Sequence, residues 1–223
     1  MADYPVEHLH ETIPNFHNTV SRFADFRAAV EENRSGRADR AGEEIAFAMA
    51  REEKCSFIMD GIATGKFPLR VTHNDTKLNN VMLDDKTGEG VCVIDLDTVM
   101  PGSVLYDFGD AIRFGASNAA EDEADLDKVY IRPDLFEAFT TGFIDGLGGA
   151  LSAEELRALP MGAWMMTFEV GIRFLGDYLN GDVYFRTHYP EHNLVRARNQ
   201  FKLVADIEAK MDELLKIVEV YIA

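Results

Sequence analysis

The sequence is poor in cysteine and lacks the hydrophobic signals that direct a chain to a membrane. Its two cysteines, Cys55 and Cys92, stand in apolar stretches with no C-x-x-C spacing, which argues against a disulfide framework or a zinc pair. We expect two buried, reduced thiols. No apolar run reaches the ~18 residues of a transmembrane helix, and residues 1–14 lack a basic-then-apolar signal pattern. These absences predict a cytoplasmic protein without a membrane partner.

Basic residues are also scarce. The 223 residues contain 22 Lys and Arg against 39 Asp and Glu, a net charge of −17. A negative charge of this size repels nucleic acid and anionic membranes, so neither is expected as a partner. It also repels a phosphorylated ligand unless a cation intervenes. Because 47% of the residues are hydrophobic, the chain can bury a core, and we expect a single domain over residues 1–223.

Hydrophobic periodicity predicts a mainly α fold with one small β-hairpin, in the α+β class. Two strand-like runs, Val81–Leu83 and Val91–Ile94, flank the turn-rich segment DDKTGEG and are expected to be buried. Three- and four-residue steps between apolar side chains indicate helices elsewhere. The helices are predicted over residues 12–33, 45–62, 135–143, 153–159, 161–179 and 194–220, with another entered near Tyr106.

Polar side chains cluster at the open end of this hairpin. Asn80 directly precedes the first strand, and Asp95 directly follows the second. Because neighbouring strands lie ~5 Å apart, these two side chains should meet, with the loop that carries Asp75 arching over them. Carboxylate and amide oxygens suit Mg²⁺, which leaves positions for phosphate oxygens. The sequence predicts a magnesium site at Asn80 and Asp95, with Asp97 beside it.

The order of these residues follows the catalytic loop of protein kinases, H-x-D-x-x-x-x-N followed by an Asp after a strand. In that scheme Asp75 accepts the proton of the attacking hydroxyl, and His73 orients the loop. Lys77 reaches the transferred phosphoryl group as a point charge. A lone H-x-D is common, but the full set in the right strand context is rarely obtained by chance. The pattern predicts phosphoryl transfer from ATP.

The segments THNDTKLNNVMLD and VIDLDTVMPGSVLYDFGDAIRFGA resemble the aminoglycoside phosphotransferase/choline kinase family, and within it the N-acetylhexosamine 1-kinases. The resemblance implies a protein-kinase-like fold, ATP and Mg²⁺, and an N-acetylglucosamine or N-acetylgalactosamine acceptor. It implies that Asp107 braces the catalytic loop. It also implies sugar contacts near Phe114, Arg173 and Tyr184. From spacing alone, Glu169, Arg173 and Asp177 on one helix face equally fit a surface salt-bridge ladder, and Tyr184 equally fits ordinary packing.

The nucleotide-binding half of such a kinase has no counterpart upstream of His73. No G-x-G-x-x-G follows a predicted strand there. We therefore expect the helical C-terminal lobe alone, with little or no turnover by itself. The face that meets a second lobe should be unusually apolar for a surface, and it offers a route to self-association.

Three other interpretations stay open at this point. A non-haem Fe(II) site could use His73, Asp75 and either His188 or His192, although such sites usually occur in β-rich barrels. A pseudokinase-like module could bind a sugar or a partner without catalysis. Within the family, the acceptor could instead be choline, an aminoglycoside or homoserine.

Overall fold

The computed structural model describes residues 4–222, which form eight α-helices and four short β-strands. The helices are α1 (Thr19–Glu32), α2 (Gly42–Met49), α3 (Phe57–Ala63), α4 (Val104–Gly115), α5 (Pro133–Gly146), α6 (Ala153–Asn180), α7 (His192–Ala209) and α8 (Met211–Glu219). The strands are β1 (Arg70–Thr72), β2 (Val81–Leu83), β3 (Gly90–Val93) and β4 (Met100–Gly102). The predicted class, mainly α with a small β-hairpin, is confirmed.

Helix α6 is the central element, and α1, α4, α7 and α8 pack around it. A capping box between Ser152 and Glu155 begins the helix, and Gly181 ends it in the left-handed conformation with φ of 100°. Most of its side chains are buried, among them Trp164, whose ring stacks on Phe168 at 5.0 Å between centroids. The prediction of two helices that meet at Pro160 is wrong, because packing on several sides holds one continuous helix through the proline.

Helices α4 and α6 cross with glycine on both sides. A Cβ atom at Gly109 would lie 2.3 Å from the carbonyl oxygen of Gly162, and one at Gly162 would lie 2.8 Å from that of Leu105. Only hydrogen fits at such a crossing. The close approach holds the start of α4, which carries Asp107, against the centre of the core.

Three other helix predictions are wrong in their boundaries. The first helix begins at Thr19 because Asn18 caps it, accepting a hydrogen bond from the amide of Ser21. The predicted helix over 45–62 is divided into α2, a 3₁₀ turn and α3. The predicted helix over 194–220 is interrupted at Lys210, whose ammonium bonds to the carbonyl of Ile131.

Two separate antiparallel strand pairs flank the catalytic-loop segment. Strands β2 and β3 form the predicted hairpin, with Val81 opposite Val93. Strands β1 and β4 form the second pair, with Thr72 opposite Met100. Strand β4 was not predicted from the sequence; it has three residues and contains a proline. The two pairs hold both ends of the loop over residues 73–80, so they decide where its side chains lie.

The hairpin is exposed, contrary to the prediction of two buried strands. Val91 is 63% exposed, Met82 51% and Val93 50%. Cys92 is exposed as well, so the expectation of two buried thiols holds for Cys55 only. The helical body contacts the hairpin near its open end and leaves both strand faces to solvent. In residues 4–222, no helix combines the length and apolar character needed to cross a membrane.

Candidate active site

Hydrogen bonds to the first turn of α4 hold the loop over residues 73–80 in place. The carboxylate of Asp107 accepts hydrogen bonds from the amides of His73, at 2.9 Å, and Asn74, at 2.7 Å. The hydroxyl of Thr76 donates to the carbonyl of Asp107. Burial raises the pKa of Asp107 above its ordinary value, although the two amides act against this shift. Asp107 therefore lies where a bracing residue would lie.

His73 joins the loop to the end of β3. Its Nε2 lies 3.0 Å from the carbonyl oxygen of Ile94, and its Nδ1 accepts a hydrogen bond from the amide of Asp75. The carbonyl can only accept, so the proton of the ring is on Nε2. Both ring nitrogens are occupied, and none is left for a metal. Within residues 4–222, no three His, Cys, Asp or Glu side chains form a metal-binding group. The iron-site interpretation with His188 or His192 is therefore wrong.

One oxygen of Asp75 is held by two donors. Oδ2 lies 2.6 Å from the ammonium of Lys77 and 2.8 Å from Nδ2 of Asn80. Nδ2 of Asn80 also donates to the backbone carbonyl of Asp75. In the described part of the chain, no hydrogen bond involves Oδ1 of Asp75. A free carboxylate oxygen beside a fixed one can accept a proton from a bound hydroxyl.

The predicted metal ligands flank the open end of the hairpin. The amide of Ile94 donates to the carbonyl of Asn80 at 2.9 Å, so Asp95 begins its turn beside Asn80. Asp95 has φ of 65°, a left-handed conformation that directs the chain sharply away from the strand. Hydrogen bonding and charge from Asp97 raise the pKa of Asp95 above its ordinary value. Two neighbouring carboxylates with such mutual repulsion are stabilised by a cation.

This donor set fits Mg²⁺. Because Nδ2 of Asn80 is committed to Asp75, its carbonyl oxygen Oδ1 is left as an acceptor, and it has no donor within residues 4–222. Together with the carboxylates of Asp95 and Asp97, it offers only oxygen atoms. Mg²⁺ takes few protein ligands and keeps the other positions for water or phosphate oxygens. Such a site does not require a dense cluster of acidic and histidine side chains.

The predicted substrate residues share one cavity with Asp75. This cavity, of about 410 Å³, is lined by Asp75 and Lys77 and also by Phe114, Arg173 and Tyr184. The guanidinium carbon of Arg173 lies 5.9 Å from the ring centre of Tyr184. The magnesium ligands proposed above lie outside this lining, on the hairpin side of Asp75. Asp75 thus lies between this cavity and the oxygen atoms at the open end of the hairpin.

The row of Glu169, Arg173 and Asp177 is not a surface salt-bridge ladder. Glu169 is fully buried and bonds to His17 and Thr19. Asp177 is 6% exposed, and its carboxylate accepts the amides of residues 183, 184 and 185. Glu169 therefore joins α6 to the start of α1, whereas Asp177 joins α6 to the loop that follows it. Asp177 shapes the loop that presents Tyr184 to the cavity.

The cavity wall contains a buried charge cluster that was not predicted from the sequence. Arg113 is 7% exposed and pairs with Asp110, at 2.9 Å, and with Glu121. Asp110 is 4% exposed, and its second oxygen Oδ2 has no hydrogen-bond partner in the described residues. Its place three residues after Asp107 in YDFGD is the signal that could have revealed it. An unpaired buried carboxylate oxygen favours a ligand that donates a hydrogen bond.

A comparison with protein families agrees with this geometry. A family model, "APH: Phosphotransferase enzyme family", matches residues 6–138. The chain belongs to the phosphotransferase enzyme family. The matched region contains the loop with Asp75, the hairpin, Asp95 and Asp107, whereas Arg173 and Tyr184 lie beyond it. Membership indicates phosphoryl transfer to a small-molecule substrate.

Proposed function

We propose that this phosphotransferase-family chain carries the catalytic and acceptor-binding part of a sugar kinase. It transfers phosphate from ATP, with Mg²⁺, to the anomeric hydroxyl of N-acetylglucosamine or N-acetylgalactosamine. The observation that supports this most strongly is the position of Asp75. Asp75 lines the acceptor cavity, its Oδ2 is held by Lys77 and Asn80, and its Oδ1 is left free. The resemblance of the THNDTKLNN and DLDTVMPGS segments to N-acetylhexosamine 1-kinases supports the choice of sugar.

The side chains of the loop have separate roles in this proposal. Oδ1 of Asp75 accepts the proton of the sugar hydroxyl, while Lys77 and Asn80 hold Oδ2 and fix the direction of the carboxylate. Bound Mg²⁺ neutralises the phosphate charge that the net charge of −17 would otherwise repel. Asn80, Asp95 and Asp97 would hold it.

The charge of the cavity favours a neutral acceptor over a cationic one. Arg173, Arg186 and Arg196 all line it, and none forms a salt bridge within residues 4–222. The other charged residues of the lining are paired: Asp75 with Lys77, and Arg113 with both Asp110 and Glu121. The charges of these five side chains nearly cancel. The lining is therefore positive although the chain is strongly negative. Choline and aminoglycosides would be repelled, whereas hydroxyl and acyl groups would not.

Two buried atoms without partners fit a polar sugar. Oδ2 of Asp110 can accept a hydrogen bond, and Nε of Arg196 can donate one; both are buried, and neither has a partner in the described part of the chain. Both residues line the acceptor cavity. A sugar offers hydroxyl donors and carbonyl or ring-oxygen acceptors on one small ligand. Such a ligand would satisfy both atoms at once.

The exposed hairpin fits the expected partner of this lobe. The exposed apolar side chains of the hairpin and of the residues next to its open end are Leu78, Met82, Leu83, Val91, Val93, Ile94 and Leu96. Exposed apolar surface of this extent is typical of a binding face. We propose that a nucleotide-binding lobe covers it in the active kinase, and that the chain by itself turns over little and self-associates through this face.

The test uses ³¹P NMR to follow Mg-ATP with N-acetylglucosamine, N-acetylgalactosamine, choline or kanamycin. Single-turnover conditions detect slow transfer. We expect a sugar 1-phosphate from a hexosamine only, and a loss of at least ~100-fold in Asp75→Asn, the usual size of a general-base contribution. Asp206→Asn, on α7 away from the cavity, is the control. Transfer to choline or kanamycin in preference to hexosamines would contradict the proposal.

A binding module without catalysis makes a different prediction. Hexosamine would then raise the melting temperature equally with and without Mg-ATP, and no transfer would occur at any enzyme concentration. A sugar-dependent shift that grows when Mg-ATP is added favours the kinase.

A further inference from the structure

His17 connects the core of the protein to the catalytic loop. It lies just before α1 and is 7% exposed. Its Nδ1 lies 2.8 Å from Oε1 of Glu169 on α6, and its Nε2 lies 2.8 Å from the backbone carbonyl oxygen of Asn74. The hydroxyl of Thr19 donates to the other oxygen of Glu169. One buried ring thus joins the central helix to the residue that precedes Asp75.

The two partners determine the protonation of this ring. The carbonyl of Asn74 can only accept, so Nε2 carries a proton. Ionised Glu169 also accepts, so Nδ1 carries another, and the ring is an imidazolium. Burial alone lowers the pKa of His17, but Glu169 and the Asn74 carbonyl outweigh it and leave the pKa above its ordinary value. Burial likewise raises the pKa of Glu169, but His17 brings it below its ordinary value. The other charged groups facing the pair are Asp107, Asp110 and Arg173.

The contact with Asn74 constrains the peptide that leads into Asp75. The carbonyl oxygen of Asn74 and the amide nitrogen of Asp75 belong to one rigid planar unit. His17 binds that unit at the oxygen, at 2.8 Å, and His73 binds it at the nitrogen, at 3.2 Å. Asn74 itself has φ of 64°, which is uncommon outside glycine. The orientation of this peptide sets the direction in which the side chain of Asp75 leaves the backbone.

We propose that His17 is a positioning residue for Asp75, acting through the Asn74–Asp75 peptide and anchored by its ion pair with Glu169. It touches no reacting atom. Only its consequence for catalysis rests on the proposed function, because the clamp on the peptide is a property of the loop itself.

The experiment measures the clamp by NMR in the full chain. Ring ¹⁵N shifts should show both nitrogens of His17 protonated at neutral pH. The double substitution H17Q/E169Q removes both charges together, so it leaves no buried charge unpaired. We expect the amide of Asp75 to exchange with solvent at least tenfold faster relative to the amides of α6. His17→Gln alone leaves the buried Glu169 carboxylate without its charged partner and should accelerate this exchange at least as much. His192→Gln, at another buried histidine, should give none.

Three results would overturn the proposal. They are an unprotonated ring nitrogen in the wild type, unchanged relative exchange at Asp75 in the double variant, and an equal acceleration in His192→Gln. If the double variant does not fold, the ring shifts and the single variant still decide. Transfer from Mg-ATP is measured in parallel. If the amide of Asp75 exchanges faster in the double variant but the wild type transfers no phosphoryl group to a hexosamine even under single-turnover conditions, the proposed function is refuted and the clamp remains. Transfer at the wild-type rate in the folded double variant would refute the positioning role alone.

Discussion

Removal of the Asp177 carboxylate should open the loop that presents Tyr184 to the cavity beside Asp75. Oδ1 accepts the amides of Val183 and Tyr184, and Oδ2 accepts the amide of Phe185 and the side-chain amide of Asn193, all at 2.9 Å. Hydrogen bonds to a charged group contribute roughly 1.5–3 kcal/mol each. The loop amides can turn to water once the loop opens, which limits the loss. We expect Asp177→Ala to lower the free energy of unfolding by about 2–4 kcal/mol.

Asp177→Asn should lose about half as much, because the remaining oxygen keeps two of the four bonds. Urea denaturation gives the free energies, and amide exchange at residues 183–185 gives the local opening. The control is Asp206→Ala, which removes a carboxylate that accepts the amide of Ile131 and the ammonium of Lys210. The reasoning fails if residues 183–185 exchange no faster in Asp177→Ala than in this control.

Three further predictions concern packing, pH and the hairpin. Gly109→Ala should cost about 1–3 kcal/mol of stability by thermal denaturation, since its methyl meets a carbonyl of α6, whereas Gly142→Ala, with open space around it, should be neutral or stabilising. Burial raises the pKa of Glu155, but Arg70 and the backbone amide of Ser152 outweigh burial and leave the pKa below its ordinary 4.5. The stabilisation from the pair of Arg70 and Glu155 is therefore present above pH 4.5 and is lost as the pH falls further. Arg70→Met should flatten that acid dependence in urea titrations; an unchanged slope would refute it. Val91→Glu should reduce self-association in light scattering and leave stability within ~0.5 kcal/mol, and undiminished association would exclude the hairpin face.

The hairpin and its polar ends were predictable because both rest on local spacing. The two short apolar runs, the turn-rich DDKTGEG segment and the positions of Asn80 and Asp95 place the polar residues without any distant contact. The environment of the hairpin was not predictable in this way. Apolar strands predict burial, but what covers a strand depends on elements far away in the sequence, and here both faces are open.

Long-range contacts account for the other differences. His17 and Glu169 are separated by 152 residues, so no local pattern joins them. The same is true of β1 and β4, which pair across the whole catalytic segment. Pro160 indicated a helix end, yet tertiary packing kept α6 continuous. In contrast, Asn18 as the N-cap of α1 and Asp110 in YDFGD are local signals that a closer interpretation of the sequence could have used.

The two thiols have unequal surroundings, so only one of them should react with a labelling reagent. Burial raises the pKa of Cys55 to about 12, which keeps it unreactive, while Cys92 is open to solvent on β3. A maleimide fluorophore should therefore attach at one place without any engineering of the sequence. The labelled residue, Cys92, lies close to Asp95 in the sequence, so the fluorescence of the dye should change when a molecule binds to the hairpin.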